Sequence, residues 1–160
     1  MVDGLAHIKE HTPRTFYEAL QLIWLFALLA GCINYGRLDD YLGTYLVADL
    51  ESGRLTEREA YDYVYSLWTM IENRRTTVNG RVIVGGRGRS HPKEADVFLH
   101  LAMKVAKNCR YVEPQFTLRF DQDTPEEIWD EALDAIGAGA TYPTLYNDAV
   151  NVPAVAYGMR

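Results

Sequence analysis

Apolar residues in this chain follow a helical period over long stretches and a period of two over short ones. Between residues 13 and 30, Phe16, Leu20, Leu22, Ile23, Trp24, Leu25, Phe26, Leu28 and Leu29 start on one face of a 3.6-residue repeat and then go all round. That pattern predicts a helix entering a large core, opened by Thr12-Pro13, where Thr can accept from free amides and Pro suits the first helical position. Gly31 and Gly36 bracket a loop or short strand, and a second helix is predicted from Leu38 to Leu50, ended by Glu51-Ser52-Gly53. Thr56 and Glu59 have capping-box spacing and open a third helix to about Glu72. Val78 to Val84 is β-branched and stops at Gly85-Gly86, which predicts a strand running into a turn. After a loop from Arg87 to His91, Pro92 opens a helix to about Lys107 with Val97, Leu101 and Val105 on one face. Glu113 to Phe120 is the next strand: Gln115, Thr117 and Arg119 alternate with Phe116, Leu118 and Phe120. Thr124-Pro125 caps a helix to about Ile136, broken by the Gly137–Ala140 stretch, and Tyr142 to Tyr146 is extended. Asn147 or Asp148 caps a final helix, with Val152, Val155 and Met159 at helical spacing and no stop signal before Arg160.

Helices alternating with short strands predict a helix-rich α/β architecture with parallel pairing, because helical crossovers join parallel strands. About three strands are legible. Three strands can neither close a barrel nor cover so many helices, so the pattern reads as an internal slice of a larger fold.

Composition narrows the function classes. With 160 residues, 48% hydrophobic and 24% charged, the chain is one globular domain's worth and far from the signature of disorder. A net charge of -6 has the wrong sign for holding a polyanion through the overall field, so nucleic acid is not an expected partner. The start of the chain has no basic segment before an apolar stretch, and the most apolar run, Leu22 to Ile33, is too short for a bilayer, so a cytoplasmic protein without membrane contact is expected. Cys32 and Cys109 lie far apart and predict neither a disulfide framework nor a zinc cluster.

The candidate chemistry each has a simpler rival. Gly85-Gly86-Arg87-Gly88-Arg89 resembles a phosphate cradle but lacks P-loop and dinucleotide spacing; the plainer reading is a turn with two solvated arginines. Cys32 could be a nucleophile, and the lysines before Cys109 could lower its pKa, but inert packing and a helix end explain them as well. Arg37, Asp39 and Asp40 fit a buried ion pair, a polar substrate site or simply helix-start carboxylates favoured by the dipole, and the acidic run from Asp121 to Glu127 has the same plain explanation. None of His7, His11, His91 and His100 has metal-site spacing.

Several segments, taken in order, resemble glycyl radical enzymes of the pyruvate formate-lyase type. They are Thr12-Pro-Arg-Thr-Phe-Tyr-Glu-Ala-Leu-Gln, Asn34-Tyr-Gly-Arg-Leu-Asp-Asp-Tyr-Leu and Gly53-Arg-Leu-Thr-Glu-Arg-Glu-Ala, followed by Val82-Ile-Val-Gly-Gly, Glu113-Pro-Gln-Phe-Thr-Leu-Arg, Asp123-Thr-Pro-Glu-Glu, and Pro143-Thr-Leu-Tyr-Asn-Asp with Val152-Pro-Ala. Together they span residues 12 to 156. The resemblance implies a homodimeric, strictly anaerobic enzyme built on a ten-stranded α/β barrel, of which residues 1–160 form a part that stops before the catalytic cysteine loop. It implies cleavage of C–C or C–heteroatom bonds in a small polar metabolite by a cysteine thiyl radical, generated from a glycyl radical that a separate iron–sulfur, S-adenosylmethionine-dependent activase installs. No cofactor is then bound by this chain and no catalytic or metal-binding residue lies in it, so it is expected to be inactive alone. Arg81 to Gly86 only superficially echoes the radical loop, since Arg87 stands where the family has an aromatic residue, and Cys32 precedes the Asn34–Arg37 motif rather than following the Tyr146-Asn147-Asp148 segment. By position, the resemblance places Gly31, Cys32 and Asn34 against substrate, where small residues leave room and an amide can bond a carbonyl or hydroxyl. The alternation along the Glu113–Phe120 strand suggests that Gln115, Thr117 and Arg119 face inward as well. The alternative is a non-catalytic truncated scaffold or a partner-binding α/β domain.

Overall fold

The computed structural model describes residues 2–75 and 80–158. The elements run α1 (Val2–Ile8), α2 (Phe16–Leu29), β1 (Asn34–Arg37), α3 (Leu38–Glu51), α4 (Glu57–Asn73), β2 (Arg81–Gly85), α5 (Pro92–Asn108), β3 (Gln115–Phe120), α6 (Glu126–Gly137), β4 (Thr144–Asn147) and α7 (Asp148–Gly158). The strands form one sheet in the order β1-β2-β3-β4, and every neighbouring pair is parallel. The helix-rich, parallel α/β class expected from the sequence is the one observed.

Several boundaries differ from the sequence reading. A fourth strand, β1, forms where a loop or short strand was expected; its pairing with β2 is interrupted by a bulge between Asn34 and Gly36. The first residues of the expected Val78–Val84 strand lie outside the described residues, and the strand begins at Arg81. The cap of α2 is Thr15, whose side chain accepts from the Glu18 amide, rather than Thr12. Thr124 does not cap α6: Pro125 holds that position, and the Thr124 hydroxyl accepts from the Asp121 amide instead. The capping box is present as expected, with Thr56 Oγ1 accepting from the Glu59 amide and Glu59 Oε2 from the Thr56 amide at 2.9 Å.

One face of the sheet builds the core. Val82 and Val84 of β2 and Phe116 and Leu118 of β3 pair directly across the two strands and are fully buried. They join Leu38, Leu42 and Leu46 of α3, Leu67, Trp68 and Ile71 of α4, and Phe98, Leu99 and Met103 of α5 in a single cluster. The Trp68 and Phe116 rings lie 6.0 Å apart. Helices α3 and α5 touch so closely that a Cβ on Gly43 would sit 2.6 Å from the Glu94 carbonyl. The buried carboxylate of Asp49 fixes the start of α2 by accepting from the Phe16 amide at 2.8 Å, and it also pairs with Arg54.

The far half of α2 departs from the sequence expectation of burial all round. Leu22, Leu25, Phe26, Leu28 and Leu29 are exposed. No helix among the described residues is long and apolar enough to cross a membrane.

Candidate functional site

The other face of the sheet is polar and largely open. Parallel register lines its side chains into rows: Asn34, Arg81 and Gln115; then Arg37, Ile83, Thr117 and Thr144; then Arg119 beside Tyr146. Thr117, in the centre, is buried, while Asn34, Arg81, Thr144 and Tyr146 are exposed. Gln115, Thr117 and Arg119 therefore share the face opposite the core, as their alternation predicted.

Gly31, Cys32 and Asn34 come together where α2 turns into β1, at the strand's beginning. Gly31 adopts a left-handed φ of +62°, which favours glycine, and a Cβ there would meet nothing within 4 Å. The Cys32 thiol donates to the Asn34 carbonyl at 3.0 Å, and the Cys32 carbonyl accepts from Arg74 at 3.0 Å. Asn34 Oδ1 accepts from the Gly36 amide at 3.0 Å, so the oxygen end of the amide holds the turn and its Nδ2 donor takes no part in that bond. Cys109 is different in kind: it is buried at the end of α5, and desolvation pushes its thiol up to about 11, the reverse of activation by the nearby lysines.

At the opposite end of the strands the structure assembles an ion-pair cluster. Arg37 donates to the carbonyls of Gly85 (2.5 Å) and Arg87 (2.6 Å), while Asp39, wholly buried, accepts from the Gly85 amide at 2.8 Å. Arg89 lies 3.7 Å from Asp39, donates to the Gly86 carbonyl at 3.1 Å and pairs with Asp96 at 2.5 Å. Arg87 pairs with Asp121 and, at 3.4 Å, with Asp123. Arg119 makes a bidentate pair with Asp148, at 2.7 and 2.9 Å. Burial raises the Asp39 carboxyl to about 6, against the lowering pull of the Gly85 amide and the two arginines.

These contacts correct the plain reading of the glycine-rich loop. Arg89 is paired and nearly buried rather than solvated, Arg87 is paired as well, and each arginine lining the cavity of about 190 Å³ beside them has a carboxylate partner: Asp121 and Asp123 for Arg87, Asp96 for Arg89 and Asp148 for Arg119. A phosphate cradle would need that positive charge uncommitted. Arg37 Nε and Asp39 Oδ1 face each other at 4.0 Å, a loose buried ion pair with no hydrogen bond between them, the first of the three options the sequence left open. Sequence reasoning missed Arg119–Asp148 and Arg89–Asp96, whose partners carry no local spacing signal. A larger cavity of about 470 Å³ opens among α3, α4, α5 and α6, over Leu46, Leu101 and Met103; its rim is closed by His100–Glu131 at 2.9 Å and Lys107–Asp134 at 3.7 Å, away from the strand ends. Among the described residues, no group of three or more His, Cys, Asp or Glu side chains is arranged to hold a metal ion.

The family model "Pyruvate formate lyase-like" matches residues 1–160. The chain belongs to that family. Among curated relatives of this pyruvate formate lyase-like chain, (2S)-3-sulfopropanediol dehydratase of Klebsiella oxytoca is 26% identical over 160 residues, covering 88% of this chain and 19% of the relative. The 4-hydroxyphenylacetate decarboxylase glycyl radical subunit of Clostridioides difficile is 25% identical over 168 residues, covering 93% and 19%. In fold it is similar to a glycyl radical enzyme from Archaeoglobus fulgidus, with a TM-score of 0.81 at 21% identity over 99% of this chain and 23% of that one. The chain thus spans about a fifth of the length of these relatives. The family named is the one the ordered motifs resemble, and its members here are dehydratases and lyases.

Proposed function

We propose that this chain forms part of the barrel wall of a glycyl radical enzyme that cleaves a C–C or C–heteroatom bond of a small polar metabolite. The observation that carries the reading is the sheet's two-sidedness: one face is sealed by helices, and the other presents rows of polar side chains. That second face, in this reading, looks into the barrel, onto substrate. In this reading the radical supplies hydrogen-atom abstraction at a cysteine beyond Arg160, and a separate iron–sulfur, S-adenosylmethionine-dependent activase installs it; the complete enzyme is a cytoplasmic homodimer. Residues 1–160 hold, orient and shield. Gly31 leaves room beside β1, the Asn34 amide bonds a substrate carbonyl or hydroxyl, and Cys32 packs at the turn as a non-catalytic neighbour. Thr117 and Thr144 offer neutral hydroxyls in the central row. The arginines at the strand ends are committed to Asp39, Asp96, Asp121 and Asp148, so an uncharged polar group suits this part of the wall better than a free anion. Excluding water and oxygen protects radical intermediates from side reactions.

The test is anaerobic incubation of the native full-length product with S-adenosylmethionine and a radical-activating enzyme of the family. An oxygen-sensitive glycyl doublet in the electron paramagnetic resonance spectrum is expected. Its absence in a competent activation mixture sinks the reading. The exposed stripe Leu22, Leu25, Phe26 and Leu29, at i, i+3, i+4 and i+7, favours the second reading, a scaffold that docks a partner. A monodisperse 160-residue chain that binds a full-length relative without radical formation would support it.

A further inference from the structure

We propose that Arg119 and Asp148 form a clasp that positions the β4–α7 turn, fixing the direction in which the chain leaves the end of the sheet. Asp148 is the first residue of α7 and is almost wholly buried. Its carboxylate accepts from Arg119 Nε and Nη2 and, at 2.9 Å, from the Arg87 amide. One side chain thus ties the ends of β2, β3 and β4 together. The site is built to receive it. Gly86, at a left-handed φ of +72°, lies so close that a Cβ there would overlap Asp148 Oδ2 and stand 2.7 Å from Arg119 Cβ. Apart from this carboxylate, β4 is a four-residue strand joined to β3 through four register pairs, a short ladder on which to fix the orientation of the turn that follows. A planar guanidinium gripping a carboxylate through two parallel bonds sets angle as well as distance, which a lysine cannot do.

The role in turnover rests on the reading above, in which the reactive cysteine loop follows this turn. Arg119 and Asp148 then act through the loop they aim, as positioning residues. The test uses the native full-length product and its Arg119→Met, Arg119→Lys, Asp148→Asn and Gly86→Ala variants. Amide hydrogen exchange at Tyr146–Val150 should rise about tenfold or more in Arg119→Met, Asp148→Asn and Gly86→Ala, while Val82–Val84 and Phe116–Leu118 stay protected. Arg119→Lys should restore part of the protection. Turnover should fall with KM and radical yield unchanged. Gly86→Ala keeps both charges, so its agreement with the other two variants ties the effect to geometry. Unchanged exchange in Arg119→Met and Asp148→Asn overturns the clasp, as does a uniform rise across the sheet. If wild-type protein forms no radical, the enzymatic reading fails, and exchange still decides the clasp.

Discussion

The two faces of the β2–β3 pair are made from alternate residues of the same two strands, yet they obey different rules. Val82, Val84, Phe116 and Leu118 are wholly enclosed, and their identities are set by volume and contact. On the other side, Arg81, Gln115, Thr117 and Arg119 are graded from exposed to buried and carry hydrogen-bonding or charged groups, with Ile83 the apolar member of the face. An open polar face is ordinary on an antiparallel sheet but unusual on a parallel one, where both sides are normally covered. The contrast teaches that apolar enclosure and polar display are segregated by side-chain parity, so substitutions one residue apart should have unlike consequences.

The largest effect should come from emptying the enclosed face. Phe116→Ala removes a ring packed on Trp68 and is expected to cost about 3–5 kcal/mol in denaturant unfolding, while the neighbouring Thr117→Val changes stability far less. Next comes the buried Asp39, whose raised pKa means that the folded state holds its proton more tightly than the unfolded one. Its contribution is therefore fully favourable below its ordinary 3.8 and is lost as pH rises through about 6, on the order of 1–3 kcal/mol by pH 7. Asp39→Asn should flatten the stability–pH profile between those values. Glu18 has the opposite sign: the Arg14 hydrogen bond lowers it to about 2, so its contribution is present above 4.5 and lost as pH falls toward 2, leaving the 4.5–6 window to report on Asp39. A profile in Asp39→Asn that matches the wild type across that window would refute the assignment. Gly43→Ala, which drives a methyl into the Glu94 carbonyl at the α3–α5 contact, should cost about 1–3 kcal/mol by thermal unfolding. Smallest of all, Thr144→Ala on the open face should stay within about 0.5 kcal/mol in stability while, on the function proposed above, raising KM in the full-length protein, and a stability loss as large as Phe116→Ala would erase the distinction between the faces.

Much of this was legible wherever the determining interactions are local. The Thr56–Glu59 box, the Pro92 start of α5 and the alternation of β3 lie within a few residues of their own partners, so spacing alone reveals them. The ordered motifs likewise exposed the family. Most of what escaped notice depends on distant chain. Thr12 and Thr15 both precede a plausible first turn; the Thr15 hydroxyl takes the cap by accepting from the Glu18 amide three residues on, a local signal overshadowed by Thr12-Pro13, and the distant Asp49 carboxylate secures it at the Phe16 amide. β1 is four residues long with a glycine and a bulge, so its strand character comes from β2 rather than from itself. The clasp joins residues 119 and 148 through a gap left by Gly86, and nothing in the separation of those positions signals it. Gly31, Cys32 and Asn34 were reached through resemblance, since an uncovered turn at the start of a strand has no periodicity to betray it.

The strand order carries one more consequence. Because β1, β2, β3 and β4 are neighbours in the same order in which they are translated, each strand emerging from the ribosome finds its template already made. At synthesis rates of about 5–20 residues per second, every crossover helix has seconds to dock before the next strand arrives, so this sheet can grow by accretion at one edge without waiting for distant sequence.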